Sequence, residues 1–254
     1  GTINILDDVE SSVSISQNTF VISGDKTFTN TGEVTIYETL TNNGTLQNEG
    51  VLNLSGTNDL GLITDNSVPT GTLNLTGDIT ASETVTQDSI NIKSGTLTAS
   101  ADNLKGAIFN AGELNLTDGT LTYAIGNYNS TAGTTFIKGD VIADADISGN
   151  TVDLNSGVLT LNTGTLDGIA GLNATGGDLS TENNEYSQTM LGAVSLSSDM
   201  HWAMEASLET EEGSDIGSAD SLKANANPVF RGNNIIISEI LLTAGGLTRS
   251  VRTL

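Results

Sequence analysis

Gly50-Val51-Leu52-Asn53-Leu54 and, further on, Gly71-Thr72-Leu73-Asn74-Leu75 carry the same phrase: a glycine, then apolar and polar residues in strict alternation. Alternation of period two is the signature of a strand with one buried side. Leu52 and Leu54 point one way and Asn53 the other, and Leu73, Asn74 and Leu75 repeat the arrangement. The phrase returns at Gly32-Glu33-Val34-Thr35-Ile36, Gly95-Thr96-Leu97-Thr98-Ala99, Gly112-Glu113-Leu114-Asn115-Leu116, Gly139-Asp140-Val141-Ile142-Ala143, Gly157-Val158-Leu159-Thr160-Leu161 and Gly177-Asp178-Leu179. From Gly32 to Gly177 the mean step is about 21 residues, a spacing typical of repeat proteins with variable loops. Minor copies at Gly44-Thr45-Leu46, Gly119-Thr120-Leu121 and Gly164-Thr165-Leu166 imply more than one strand per step. A unit this short cannot bury its own apolar side. Stacked coils can, by pairing backbone to backbone and merging inward Leu, Ile and Val into one core. A two-sheet sandwich also has short alternating strands, but gives no reason for one phrase to recur at a near-constant spacing. The sequence therefore predicts an all-β fold, a single-stranded parallel β-helix (solenoid) with coils of roughly 20 residues. The glycine before each strand suggests a turn with positive φ.

Composition bounds the function. The 254 residues include 8 basic and 31 acidic ones, a formal net charge of −23. Leu, Ile, Val and Phe make up roughly 26% of the chain, above the roughly 20% below which strongly charged chains are disordered. Such a charge repels phosphate backbones, which argues against a nucleic-acid partner. No cysteine is present, so no disulfide, thiolate nucleophile or Cys-ligated zinc is available. No apolar run approaches the length of a membrane helix. The opening Gly1-Thr2-Ile3-Asn4 lacks an initiator Met and a basic-then-apolar leader, as expected of a mature or excised fragment.

The phrase is regular over residues 1–184 and weakens over 185–254, read as less regular C-terminal coils continuing the solenoid. There Met200, Trp202, Met204, Ala206 and Leu208 alternate with His201, Glu205, Ser207 and Glu209, which favours a strand with Trp202 in the core and His201 on the surface. An acidic loop and two strand-like runs, Ile235–Ile237 and Ile240–Leu242, follow. The Asn-x-Gly-x-Leu-x-Leu and Asn-Thr-Gly phrases (Asn30-Thr31-Gly32, Asn162-Thr163-Gly164), with the late order from Trp202 through Ser218-Ala219-Asp220-Ser221-Leu222 to Gly232-Asn233-Asn234-Ile235-Ile236-Ile237, resemble the passenger regions of bacterial autotransporters and large repetitive surface proteins. The resemblance covers most of the chain. It implies a right-handed parallel β-helix, export across two membranes to an extracellular or outer-surface location, and often adhesion.

Several residues stand out as candidate sites. Asp140, Asp144, Asp146 and Asp153, beside Lys138, form the densest acidic run. They have the oxygen donors for Ca²⁺ and would equally serve as a solvated acidic surface; no EF-hand or RTX-type loop accompanies them. His201 is the sole histidine, and no Gly-x-Ser-x-Gly elbow supplies a nucleophile for it. Tyr123, Tyr128 and Phe136 concentrate aromatic rings; Tyr123 falls on an inward position, whereas Tyr128 lies in a Gly/Asn/Ser loop as a candidate ligand-binding side chain. Asn53, Asn74, Thr98, Asn115 and Thr160 all face outward and would form a polar ladder along one face. The functional expectation is a non-enzymatic adhesin or structural stalk, secreted or on the bacterial surface, without an obligatory cofactor. Its partners would be host or matrix glycans and proteins. The alternatives are a polysaccharide-binding or -degrading β-helix using the Asp140–Asp153 region, and a self-associating extracellular fibre subunit.

Overall fold

The computed structural model describes residues 1–181 except 66–68, 168 and 175. Beyond them it describes the strands Thr189–Leu191, Ala193–Leu196, Trp202–Met204, Leu208–Thr210, Leu222–Ala224, Ile240–Ala244 and Leu247–Val251. The chain is an all-β, right-handed parallel β-solenoid with coils of about 18 residues, and the described residues make about nine turns. Two compact units are present, Gly1–Asn115 with Tyr128–Gly133, and Leu116–Asn127 with Thr134–Leu254.

In the first unit every coil has three sides. The first side stacks Thr2–Ile5, the ends of Ile15–Ile22 and Glu33–Asn42, then Thr57–Asp59, Asp78–Ala81 and Thr96–Ala99. The second stacks Val9–Ser11, Thr27–Asn30, Thr45–Asn48, Leu62–Thr64 and the starts of Val85–Ile92 and Leu104–Asn110. The third stacks the starts of Ile15–Ile22 and Glu33–Asn42, then Val51–Leu54, Thr72–Leu75 and the ends of Val85–Ile92 and Leu104–Asn110. All these ladders are parallel. Inward columns are nearly pure hydrocarbon, for example Val34, Leu52, Leu73, Ile90 and Ile108 on the third side, all buried. Phe20 and Phe28 meet across the interior at 4.9 Å between ring centroids. A 3₁₀ turn, Ala101–Asn103, is the one helical element among the described residues.

The coil is shorter than the spacing of the glycine phrase, for a definite reason. Gly32, Gly50 and Gly71 each precede a third-side strand, but Gly95 precedes the first-side strand Thr96–Ala99. The step from Gly71 to Gly95 thus contains a full coil plus one extra side, which inflates the mean. Nor do most of these glycines have positive φ; Gly50 and Gly71 do not. Close approach of the coil beneath is what excludes a side chain: a Cβ on Gly50 would lie 2.1 Å from the Gly32 carbonyl oxygen.

Corners are where the ladders break and where asparagine enters. Asn30 and Asn48, fully buried between the second and third sides, are joined by a bond from Asn30 Nδ2 to Asn48 Oδ1 at 2.7 Å. Asn30 Oδ1 accepts the N–H of Gly32, and its Nδ2 also donates to the Val51 carbonyl. Asn48 Nδ2 donates to buried Gln87, whose own Nε2 donates to the carbonyls of Asn48 and Thr64. Asn110 accepts the Gly112 N–H at another corner. At Asn30 the Asn-x-Gly phrase is therefore a corner device: the amide oxygen closes the local turn and the amide nitrogen reaches the next coil.

The second unit stacks Gly119–Leu121, Val141–Ala143, Val158–Leu161, Asp178–Thr181 and Trp202–Met204 as one parallel ladder. A second ladder holds Thr134–Lys138, Thr151–Ser156, Gly171–Ala174 and Ala193–Leu196. A third runs through Ile125, Ile147 and Leu166. Leu222–Ala224 pairs in parallel with Ile240–Ala244, which then pairs antiparallel with Leu247–Val251. His201 and Ile235–Ile237 lie outside the described residues.

Two stability predictions follow from this packing. Asn48→Ala removes bonds to both neighbouring coils and leaves buried partners unpaired, so it should cost about 2–4 kcal/mol in urea unfolding; outward Asn91→Ala should cost less than about 1 kcal/mol. Thr135 is buried above Val152, and its hydroxyl has no hydrogen-bond partner. Thr135→Val should therefore raise stability by about 1 kcal/mol, read from the same titration.

Candidate functional site

The four aspartates do not converge. Asp140 sits just before Val141–Ala143, and its Oδ1 accepts the N–H of Val158 at the start of the next strand in that ladder, at 3.0 Å. Asp146 precedes Ile147 and accepts both the N–H and the hydroxyl of Thr165 at 2.9 and 2.8 Å. Asp144 accepts from Asn162 Nδ2 at 2.7 Å. Asp153 is on the strand Thr151–Ser156, buried, in register with Phe136. Asp8 uses the same arrangement in the first unit, where it accepts the Thr27 N–H at 2.8 Å. Asp8, Asp140, Asp144 and Asp146 thus pin one coil to the next at the corners. Among the described residues no three His, Cys, Asp or Glu side chains gather closely enough to hold a metal ion.

The aromatic residues fall differently from their sequence reading. Tyr123 is 42% exposed, because the strand Gly119–Leu121 ends before it and alternation stops at the corner. Tyr128 is half-buried. It opens a tight turn in which Asn129 and Ser130 both have left-handed φ, 49° and 63°, and the Thr131 N–H donates to the Tyr128 carbonyl at 2.9 Å. Two successive left-handed residues are the geometry of a type I′ turn. Lys93 Nζ lies 5.5 Å from the Tyr128 ring centroid, and Lys138 Nζ 5.4 Å from that of Phe136.

The outward polar residues do form ladders, but on more than one side. On the third side of the first unit Asn53 Nδ2 donates to Thr35, Asn74 Nδ2 to Asn53 Oδ1 at 2.8 Å, and Asn91 Nδ2 to Asn74 Oδ1 at 3.0 Å. Asn115 donates instead to Thr98, continuing the first-side column after Thr80. Thr160 stacks on Ile142 in the second unit. The migrating glycine phrase explains the split.

A cleft of about 330 Å³ in the first unit was not apparent from sequence; it is lined by Leu40, Thr41, Asn42, Asn43, Asp59, Gly61, Ser82 and Glu83. It lies where the first side turns into the second. Asn42 takes an inward position above Ile22 and donates to the carbonyls of Leu60 and Leu62 at 2.9 Å each, while its Oδ1 is buried without a partner. Partial burial pushes the Asp59 carboxyl up, but the Ser82 hydroxyl at 2.6 Å and the N–H groups of Gly61 and Ser82 outweigh it and hold the group below 3.8. Asp59 and Glu83 thus present carboxylates beside hydroxyl and amide groups, a lining suited to a hydroxyl-rich ligand. The signal in the sequence was too faint to find it, because the three segments are far apart and share no motif.

No family model matches the chain, and no curated protein or solved structure is significantly similar to it. No helix among the described residues is long and apolar enough to cross a membrane.

A depressed carboxyl stabilises the fold above its unfolded pKa and loses that contribution as pH falls through the lower folded value. Ser82→Ala should therefore destabilise the protein at neutral pH, with the difference from the parent disappearing well below pH 3.8. Denaturant midpoints across that range measure it.

Proposed function

We propose that the chain is part of a secreted or cell-surface bacterial adhesin or structural stalk that works by geometry rather than by catalysis. The observation that carries this reading is the commitment of polar groups to neighbouring coils. Backbone amides pair across parallel ladders, Asn30, Asn48 and Gln87 tie the corners, and even the exposed carboxylates of Asp8, Asp140 and Asp146 accept backbone N–H groups of the next coil. Such a body is stiff at every rung and varies only in its corner loops and outward columns. Those are the places where contacts with glycan or protein surfaces are made. The charge of −23 keeps such a body soluble and repels polyanions. Export and surface location belong to the same proposal, supported by the resemblance of the Asn-x-Gly-x-Leu phrases to autotransporter passengers.

The second reading, a polysaccharide-acting β-helix, draws on the cleft at Asp59 and Glu83. Incubation of the purified chain with a polysaccharide panel, with and without Ca²⁺, separates the two. The adhesin reading expects retention on immobilised glycans or matrix proteins and no new reducing ends or unsaturated products. Sustained cleavage that Asp59→Asn abolishes would replace it with the enzymatic one.

A further inference from the structure

One patch on the third side of the first unit brings together side chains that no sequence motif connects. Asn91 is in register with Phe109, and Ile92 with Asn110. The Ala111 N–H donates to the Ile92 carbonyl at 2.8 Å, and the Tyr128 N–H to the Asn110 carbonyl at 3.4 Å. Lys93, Ala111 and Tyr128 therefore follow one another on successive rungs. They stand two residues from the outward column Thr35, Asn53, Asn74, Asn91 and Phe109. Phe109 is 39% exposed. The methyl group of Ala111 leaves its rung low, and Lys93 reaches over it toward the Tyr128 ring. The result is a patch that brings together two aromatic rings, an ammonium and the Asn91 amide.

We propose that this patch is a pyranose subsite, at which one unit of a neutral glycan chain stacks on Phe109 beside Asn91 and Lys93. The inference rests on the surface-contact reading and names its ligand class. An exposed aromatic ring offers the flat apolar face on which the C–H face of a sugar ring packs. Asn91, half-buried, spends one N–H in the ladder, which leaves a second N–H on its amide for a sugar hydroxyl. Lys93 keeps N–H donors free of the ring it covers. The tight turn at Asn129 and Ser130 fixes Tyr128 in advance, which lowers the entropy lost on binding. Net charge selects a neutral chain, because −23 repels a polyuronate over the whole surface.

Calorimetric titration of the 254-residue chain with soluble cello-, manno-, galacto- and galacturono-oligosaccharides tests this. At least one neutral series should bind. Phe109→Ala should weaken it about tenfold or more, and Phe109→Trp should preserve it. Tyr128→Ala, a second route to the same loss, guards against a folding defect in the first variant. Phe136→Ala, in the other unit, should leave binding unchanged, and thermal melts should match the parent. Absence of binding to every neutral series, tighter binding of oligogalacturonate, or affinity unchanged in folded Phe109→Ala and Tyr128→Ala would each overturn the subsite. A chain that binds no sugar but still adheres to protein matrices would remove the subsite and leave the surface-contact reading standing.

Discussion

The corner, not the strand, is the constraint on which this solenoid depends. Straight segments satisfy their backbone groups automatically by pairing with the coils on either side. At each bend the ladder is interrupted, and an N–H or C=O left without water or a partner there costs as much as a lost hydrogen bond. Asparagine solves both halves of the problem, since its amide has an acceptor for the local turn and donors for the adjacent coil. Asn30 does this within a few ångströms, taking the Gly32 N–H on its oxygen and giving its nitrogen to Asn48 and Val51. At the corner after Thr64, Gln87 reaches in from the next coil and bonds the Thr64 and Asn48 carbonyls.

That division of labour also explains how far the sequence could be read. Strand identity was legible because alternation such as Leu52-Asn53-Leu54 requires one buried and one outward side, and a recurring short unit requires stacking. Three sides per coil and their length were not, because the glycine phrase precedes a third-side strand at Gly71 and a first-side strand at Gly95. The outward polar residues were recognised individually, yet Asn53 and Asn115 belong to different columns for the same reason. Acidic residues were the least legible. Asp140 and Asp146 look like a metal cluster in one dimension, but each precedes a strand and takes a backbone N–H from the next coil, about 18 residues on. Phe109 and the Asp59 cleft became visible only when coils were superposed, since residues that adjoin in space are a full coil apart in sequence.

These features bear on function through stiffness. A ladder of coils, each bonded to its neighbours through backbone, amide and carboxylate, has few soft degrees of freedom, and its outward columns repeat at a fixed spacing. Such a surface suits multivalent contact with an extended partner better than enclosure of a small one. The cleft at Asn42 is one of three places among the described residues where a buried side-chain oxygen has no partner, the others being Asn115 and Thr135.

The central claim is that residues about one coil apart lie side by side in parallel. Because the chain contains no cysteine, nitroxide labels can be placed at will, and the pair Asn53→Cys with Asn74→Cys tests the claim directly. Neighbouring rungs about 4.8 Å apart should give strongly broadened electron paramagnetic resonance spectra, whereas Asn74→Cys with Thr98→Cys, on different sides, should broaden far less. Sharp, uncoupled spectra from the first pair in the folded chain would contradict the parallel solenoid.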